Sequence, residues 1–92
     1  MSSAWLQNQF TVQRELGLHA RPAGQFVALA GKFECEIEVG LDGEWVSGRS
    51  VLSILSLAGV HGTVLQLRAR GADAAEALAA LGELIEAPHE AS

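Results

Sequence analysis

The chain carries little with which to hold a membrane, a nucleic acid or a metal. Its single cysteine, Cys35, cannot form an internal disulfide, which suits a reducing compartment. Six basic residues are scattered against eleven acidic ones, for a formal net charge of −5 at pH 7. There is no basic block, and the three phenylalanines and two tryptophans form no stacking pair beside one, which argues against nucleic-acid binding. The longest apolar run, VLSILSLAGV, is interrupted by two serines and is half the roughly 20 residues needed to span a bilayer. The opening MSSAWLQNQF has no basic segment leading into a long apolar one, so no export signal is expected and the protein is expected in the cytoplasm. His19, His61 and His89, with Cys35, show no metal-ligand spacing. A glycine-rich phosphate loop, a Ser-His-Asp set and a paired-carboxylate site are likewise missing. There is no linker, repeat or charge run.

What remains is one small domain of 92 residues, 49% hydrophobic, enough for a single core without staples. Residues 5–87 are expected to be structured and 88–92 to form a tail. QFTVQ alternates, with Phe10 and Val12 on one face, and predicts a half-buried strand. HARPAGQFVALAGK predicts a helix whose Ala23, Phe26, Val27 and Ala30 recur at helical spacing. Pro22 falls in its first turn, where a missing N–H costs nothing. FECEIEVG alternates Phe33, Cys35, Ile37 and Val39 against three glutamates. Asp42-Gly43 then signals a tight hairpin into the return strand EWVS. SVLSILSLAG predicts a short helix capped by Ser50 and stopped by Gly59. TVLQLRAR is a fourth strand, with Leu65, Leu67 and Ala69 inward. Asp73 and Glu76 predict a capping box for a last helix, striped by Leu78, Leu81 and Ile85 and ended by Pro88. The order and the hairpin favour an α+β two-layer sandwich, its antiparallel sheet carrying all helices on one face. The glutamates of the second strand would then lie on the side open to water.

The chemistry concentrates in GLHARPAG, residues 17–24. His19 falls at the start of the first helix, where backbone N–H groups have no intrahelical partner and the dipole adds roughly half a positive charge. That end of a helix favours the neutral ring over the cation, and the neutral ring is the nucleophile. A phosphoryl group accepted there would bring about two negative charges to a place already suited to anions. Arg21 could add a planar pair of donors to the phosphoryl oxygens. Gly17 and Gly24 would let a large partner approach closely. A lone histidine at such a position is most often just a cap; Arg21 and Pro22 beside it turn the balance toward chemistry.

GLHARPAGQFV resembles the active-site segment of the HPr family, the histidine-containing phosphocarriers of the bacterial sugar phosphotransferase system. GRSVLSILSLAGVHGT is similar to that family's second helix and the turn after it, and the likeness runs from about Leu6 to Ile85. The resemblance implies an open-faced βαββαβα sandwich with strand order 1-4-2-3. It implies that His19 accepts a phosphoryl group on Nδ1 from enzyme I, with Ala20 and Arg21 holding its oxygens, and passes it to a histidine of enzyme IIA. Neither a cofactor nor a metal is implied, and the protein alone turns nothing over. Ser50 matches the serine that HPr kinase/phosphorylase modifies in some bacteria.

Within the middle helix Ile54 and Leu57 can face the sheet, which leaves Leu52 and Leu55 partly outside. Small exposed apolar patches mark contact surfaces. By resemblance, Val51, Leu52 and Leu55 are the docking candidates, with Arg21 and Arg49 as a charged rim. His61 would sit near that helix's end. A monomer is expected. Leu16 stands where sugar-system members often carry a small polar residue. LGLHARPA and RSVLSIL are similar to the nitrogen-related paralogue, whereas the basic residue before Ser50 leans to the sugar branch. The alternative is therefore a regulatory paralogue that binds a control protein according to its phosphorylation.

Overall fold

A computed structural model describes residues 4–13, 19–57 and 62–87. Its elements run β1 (Leu6–Thr11), α1 (Ala20–Ala30), β2 (Cys35–Leu41), β3 (Glu44–Ser47), α2 (Val51–Leu57), β4 (Val64–Gly71) and α3 (Ala74–Glu86). The four strands make one antiparallel sheet in the order β1-β4-β2-β3, as expected. Register is set by the alternation of each strand. Leu67 faces Asn8 on one side and Val39 on the other, and Ala69 faces Leu6 and Ile37. A slip of one residue would turn every apolar side chain out of the core.

The inward faces of β2 and β4 supply Cys35, Ile37, Val39, Leu65, Leu67 and Ala69, all buried. Phe26 of α1, Ile54 of α2 and Leu81 and Ile85 of α3 close over them from the same side. Phe33 precedes β2 rather than belonging to it and packs half-buried against this cluster. The hairpin turns on Asp42 (φ 53°) and Gly43 (φ 85°), so both central residues are left-handed. This is the geometry of a type I′ turn, for which Asp-Gly is a preferred pair.

The helix ends are held in three different ways. The Arg49 guanidinium donates to the carbonyls of Ala30 (2.8 Å), Phe33 (3.0 Å) and Cys35 (2.6 Å), joining the end of α1 and the start of β2 to the segment that leads into α2. Asp73 stands at the N-cap position of α3, but its side chain makes no capping bond and the capping box with Glu76 does not form. Instead Oδ2 accepts the Glu34 N–H at 2.8 Å, Oδ1 is buried, and the Cys35 thiol interacts with the carboxylate. A carboxylate tied to β2 cannot also turn back onto its own helix. Ser50 does cap α2: its Oγ accepts the Ser53 N–H at 3.2 Å. Gly59 and Pro88, the expected helix stops, lie outside the described residues. Ala87 already has the extended ψ of 130° that a following proline demands.

The face opposite the helices is not left bare. Arg68 lies between the rings of Trp5 and Trp45, its guanidinium carbon 4.5 and 4.1 Å from their centroids, and Arg70 sits 4.2 Å over Trp5. Glu38 accepts from Arg68 (2.8 and 2.5 Å) and Glu36 accepts from Arg70. Trp45 lies flat across Gly40, where a Cβ would come within 2.7 Å of the indole.

Candidate functional site

The site is built where β1 gives way to α1. Val12, just after β1 and fully buried, donates its N–H to Thr63 O (2.8 Å) and accepts from Gly62 N–H (2.9 Å). Gly62 has φ +87°, which glycine alone adopts without strain, so its amide reaches that carbonyl at little cost. Gln13 N–H adds a long contact to Ile85 O at 3.5 Å. The chain is thus fixed on both sides immediately before the active segment. Leu16, Gly17 and His61 lie outside the described residues.

His19 is the N-cap residue of α1, with extended backbone (φ −84°, ψ −167°), and is half-buried. Its carbonyl accepts the first intrahelical bond, from Ala23 N–H at 3.0 Å. The amides of Ala20 and Arg21 therefore precede the helical ladder, and Pro22 has none to offer. The imidazole makes no capping bond, so helix capping does not account for it. Pro22, Ala23, Phe26 and Ala30 bury the inner side of α1 and fix where its tip points. Ala20 and Arg21 are exposed, and no acidic residue lies in the first turn to offset the dipole. A half-buried imidazole, an electropositive helix tip and an exposed arginine two residues on thus lie together at the start of α1. Among the described residues no cluster of histidine, cysteine or carboxylates could hold a metal.

On α2, Ile54 and Leu57 are buried in the core while Leu52 is 79% exposed, with Val51 and Leu55 half-buried beside it. Leu52 thus stands out from the helix, while Val51 and Leu55 also pack against the core. Arg49, expected at the docking rim, has its guanidinium turned onto the three carbonyls named above; this clamp was not legible from its neighbours in the chain. Nor was the tryptophan–arginine stack, whose only trace is Arg68 and Arg70 alternating outward opposite Glu36 and Glu38. No helix among the described residues is long and apolar enough to cross a membrane.

A four-stranded sheet in this order, three helices on one side and a histidine opening the first of them define a small α+β phosphocarrier-type domain. Residues 6–87 match the family model described as PTS HPr component phosphorylation site. Over 78 residues the chain is 44% identical to the phosphocarrier protein HPr of Pseudomonas aeruginosa, covering 84% of this chain and 87% of that one. It is 42% identical over 81 residues to the multiphosphoryl transfer protein of Vibrio cholerae, covering 85% of this chain but 20% of that longer one. The crystal structure of a phosphocarrier protein HPr from Bacillus anthracis superposes with a TM-score of 0.85 at 38% identity, covering 89% of this chain and 98% of that one. The chain belongs to the HPr phosphocarrier family.

Proposed function

We propose that this chain carries phosphoryl groups in a phosphoenolpyruvate-dependent sugar phosphotransferase system, with His19 as the carrier. The observation that bears most weight is the position of that ring at the tip of α1 without a capping role. Nδ1 attacks phosphorus on phosphorylated enzyme I; the bond to enzyme I breaks as the N–P bond forms. The amides of Ala20 and Arg21 and the Arg21 guanidinium hold the phosphoryl oxygens. Transfer to enzyme IIA reverses the same exchange onto its histidine, so the site must bind the group neither too weakly nor too tightly. Val51, Leu52 and Leu55 supply the apolar part of the surface both partners meet, and Arg49 braces it from beneath. A similar segment forms part of a longer chain named for multiphosphoryl transfer in Vibrio cholerae, which supports phosphoryl exchange between a domain of this kind and others. Ser50, whose Oγ is engaged with Ser53, is a further phosphorylation candidate for HPr kinase/phosphorylase, where its charge would lie beside the docking patch. The protein acts in the cytoplasm as a monomer.

Incubation with phosphoenolpyruvate and purified enzyme I tests this. An acid-labile mass gain of one phosphoryl group is expected, absent in His19→Ala. Arg21→Ala should be slowed in both directions of transfer. No adduct with enzyme I of either the sugar or the nitrogen-related branch would overturn the assignment.

A further inference from the structure

Arg49 is exposed on the approach to α2, which would suit a charge that meets a partner. Its bonds point elsewhere. One guanidinium nitrogen donates to Ala30 O, at the end of α1, and the other to Phe33 O and Cys35 O, along the connection into β2. The last turn of α1 has no basic residue of its own. The final carbonyls of a helix lack intrahelical partners and carry its negative dipole end, so a cation brought from elsewhere meets both needs. The same connection is gripped from α3, where Asp73 accepts the Glu34 N–H between those carbonyls. Arg49 is itself held in place: its N–H donates to Ser47 Oγ at 3.1 Å, and the Gly48 N–H before it donates to Ile37 O at 2.9 Å. Ser50, the next residue, caps α2. One side chain therefore joins the end of α1 to the beginning of α2.

We propose that Arg49 is a positioning residue for docking, which sets α2 against α1 instead of touching the partner. The inference rests on the carrier reading above: α1 opens on His19 and α2 carries Leu52, so a partner seated on α2 must find the ring at a fixed place. α2 has seven residues, of which only Ile54 and Leu57 are buried, so little else resists its turning. An arginine is required because three carbonyls surround one planar fork. A lysine ammonium is a point charge on a flexible stem and does not hold all three in that geometry.

The test uses the full chain as Arg49→Lys and Arg49→Met, each as a substrate of phosphorylated enzyme I at low and at high salt. Both variants should raise the apparent KM about fivefold or more with kcat unchanged, since His19, Ala20 and Arg21 lie at the other end of α1. A charge in direct contact with a partner governs salt dependence. Here the ratio of KM at the two salts should match the parent's. A lysine variant with the parent's KM, or a salt ratio that collapses in Arg49→Met, overturns the proposal. A second measurement needs no partner. Residual dipolar couplings should show an altered angle between α1 and α2 in both variants, and unaltered couplings overturn the proposal whether or not transfer occurs. A parent that accepts no phosphoryl group overturns the carrier reading alone, and the couplings still decide the role of Arg49. Should Arg49→Met fail to fold, Arg49→Lys decides by the same readouts.

Discussion

Asp73 and Cys35 form a small buried exchange between the starts of β2 and α3. The Glu34 N–H, and then the Cys35 thiol, hold the Asp73 carboxyl below the usual carboxylate range. Burial, and then the same carboxylate, push the thiol up to about 11. A group whose folded value is lowered contributes stability that is whole above its unfolded value and is lost as pH falls through the folded one. Asp73→Asn keeps an oxygen for Glu34 but has no charge to lose. Urea midpoints should therefore show the parent ahead of Asp73→Asn at neutral pH, with the gap closing as the pH falls below the ordinary carboxylate value of 3.8. The thiol works in the opposite sense. Its contribution is whole below its ordinary value of 9.0 and is lost between there and about 11, so Cys35→Ala should flatten the alkaline limb of the same curve. The place of His19 at a helix start was legible in the sequence because the residues that set it, Pro22 and the apolar spacing after it, are its neighbours in the chain. Asp73 and Arg49 were not, because the groups they bind lie 39 and 14 to 19 positions away in the chain.

At the scale of elements, two helix glycines make opposite demands. A Cβ at Gly82 on α3 would run into the Phe10 ring of β1, whereas one at Gly24 on α1 meets nothing within 4 Å. Gly82→Ala should lower stability by about 1–3 kcal/mol as β1 is pushed off the helix. Gly24→Ala should raise it by about 0.5–1 kcal/mol through lower helix-coil entropy. If Gly24 is bare so that a partner can come close, the same change slows phosphoryl transfer while the melting temperature rises. The strands and helices were legible because alternation and helical spacing are local. Their ends shifted where the tertiary fold decided: β1 begins three residues before the alternating QFTVQ, because β4 offers partners for Leu6 onward. β2 begins two residues after Phe33, because β4 ends at Gly71, the partner of Cys35, and offers nothing further to pair with.

For the molecule as a whole, the two faces divide the work. The helical side carries His19 and the apolar patch of α2. Leu52, the most exposed of that patch, contributes little to the core, so Leu52→Asp should leave the urea midpoint unchanged. It should raise the apparent KM for this chain as a substrate of enzyme I by about tenfold or more, the scale of a central interface residue, with little change in kcat. The layer order could be read from the sequence of elements, because a hairpin and short connections leave few topologies open. The covering of the opposite side could not, since it needs all four strands assembled before Trp5, Arg68 and Trp45 come together. That stack has a practical result. Both indoles of the chain lie beneath or beside guanidinium groups on the sheet's far side, away from His19. Intrinsic fluorescence will therefore follow the integrity of the sheet, through loss of the cation contacts on unfolding, while giving almost no signal when a partner settles on the helices. Emission can monitor folding in the middle of a transfer reaction without being disturbed by it.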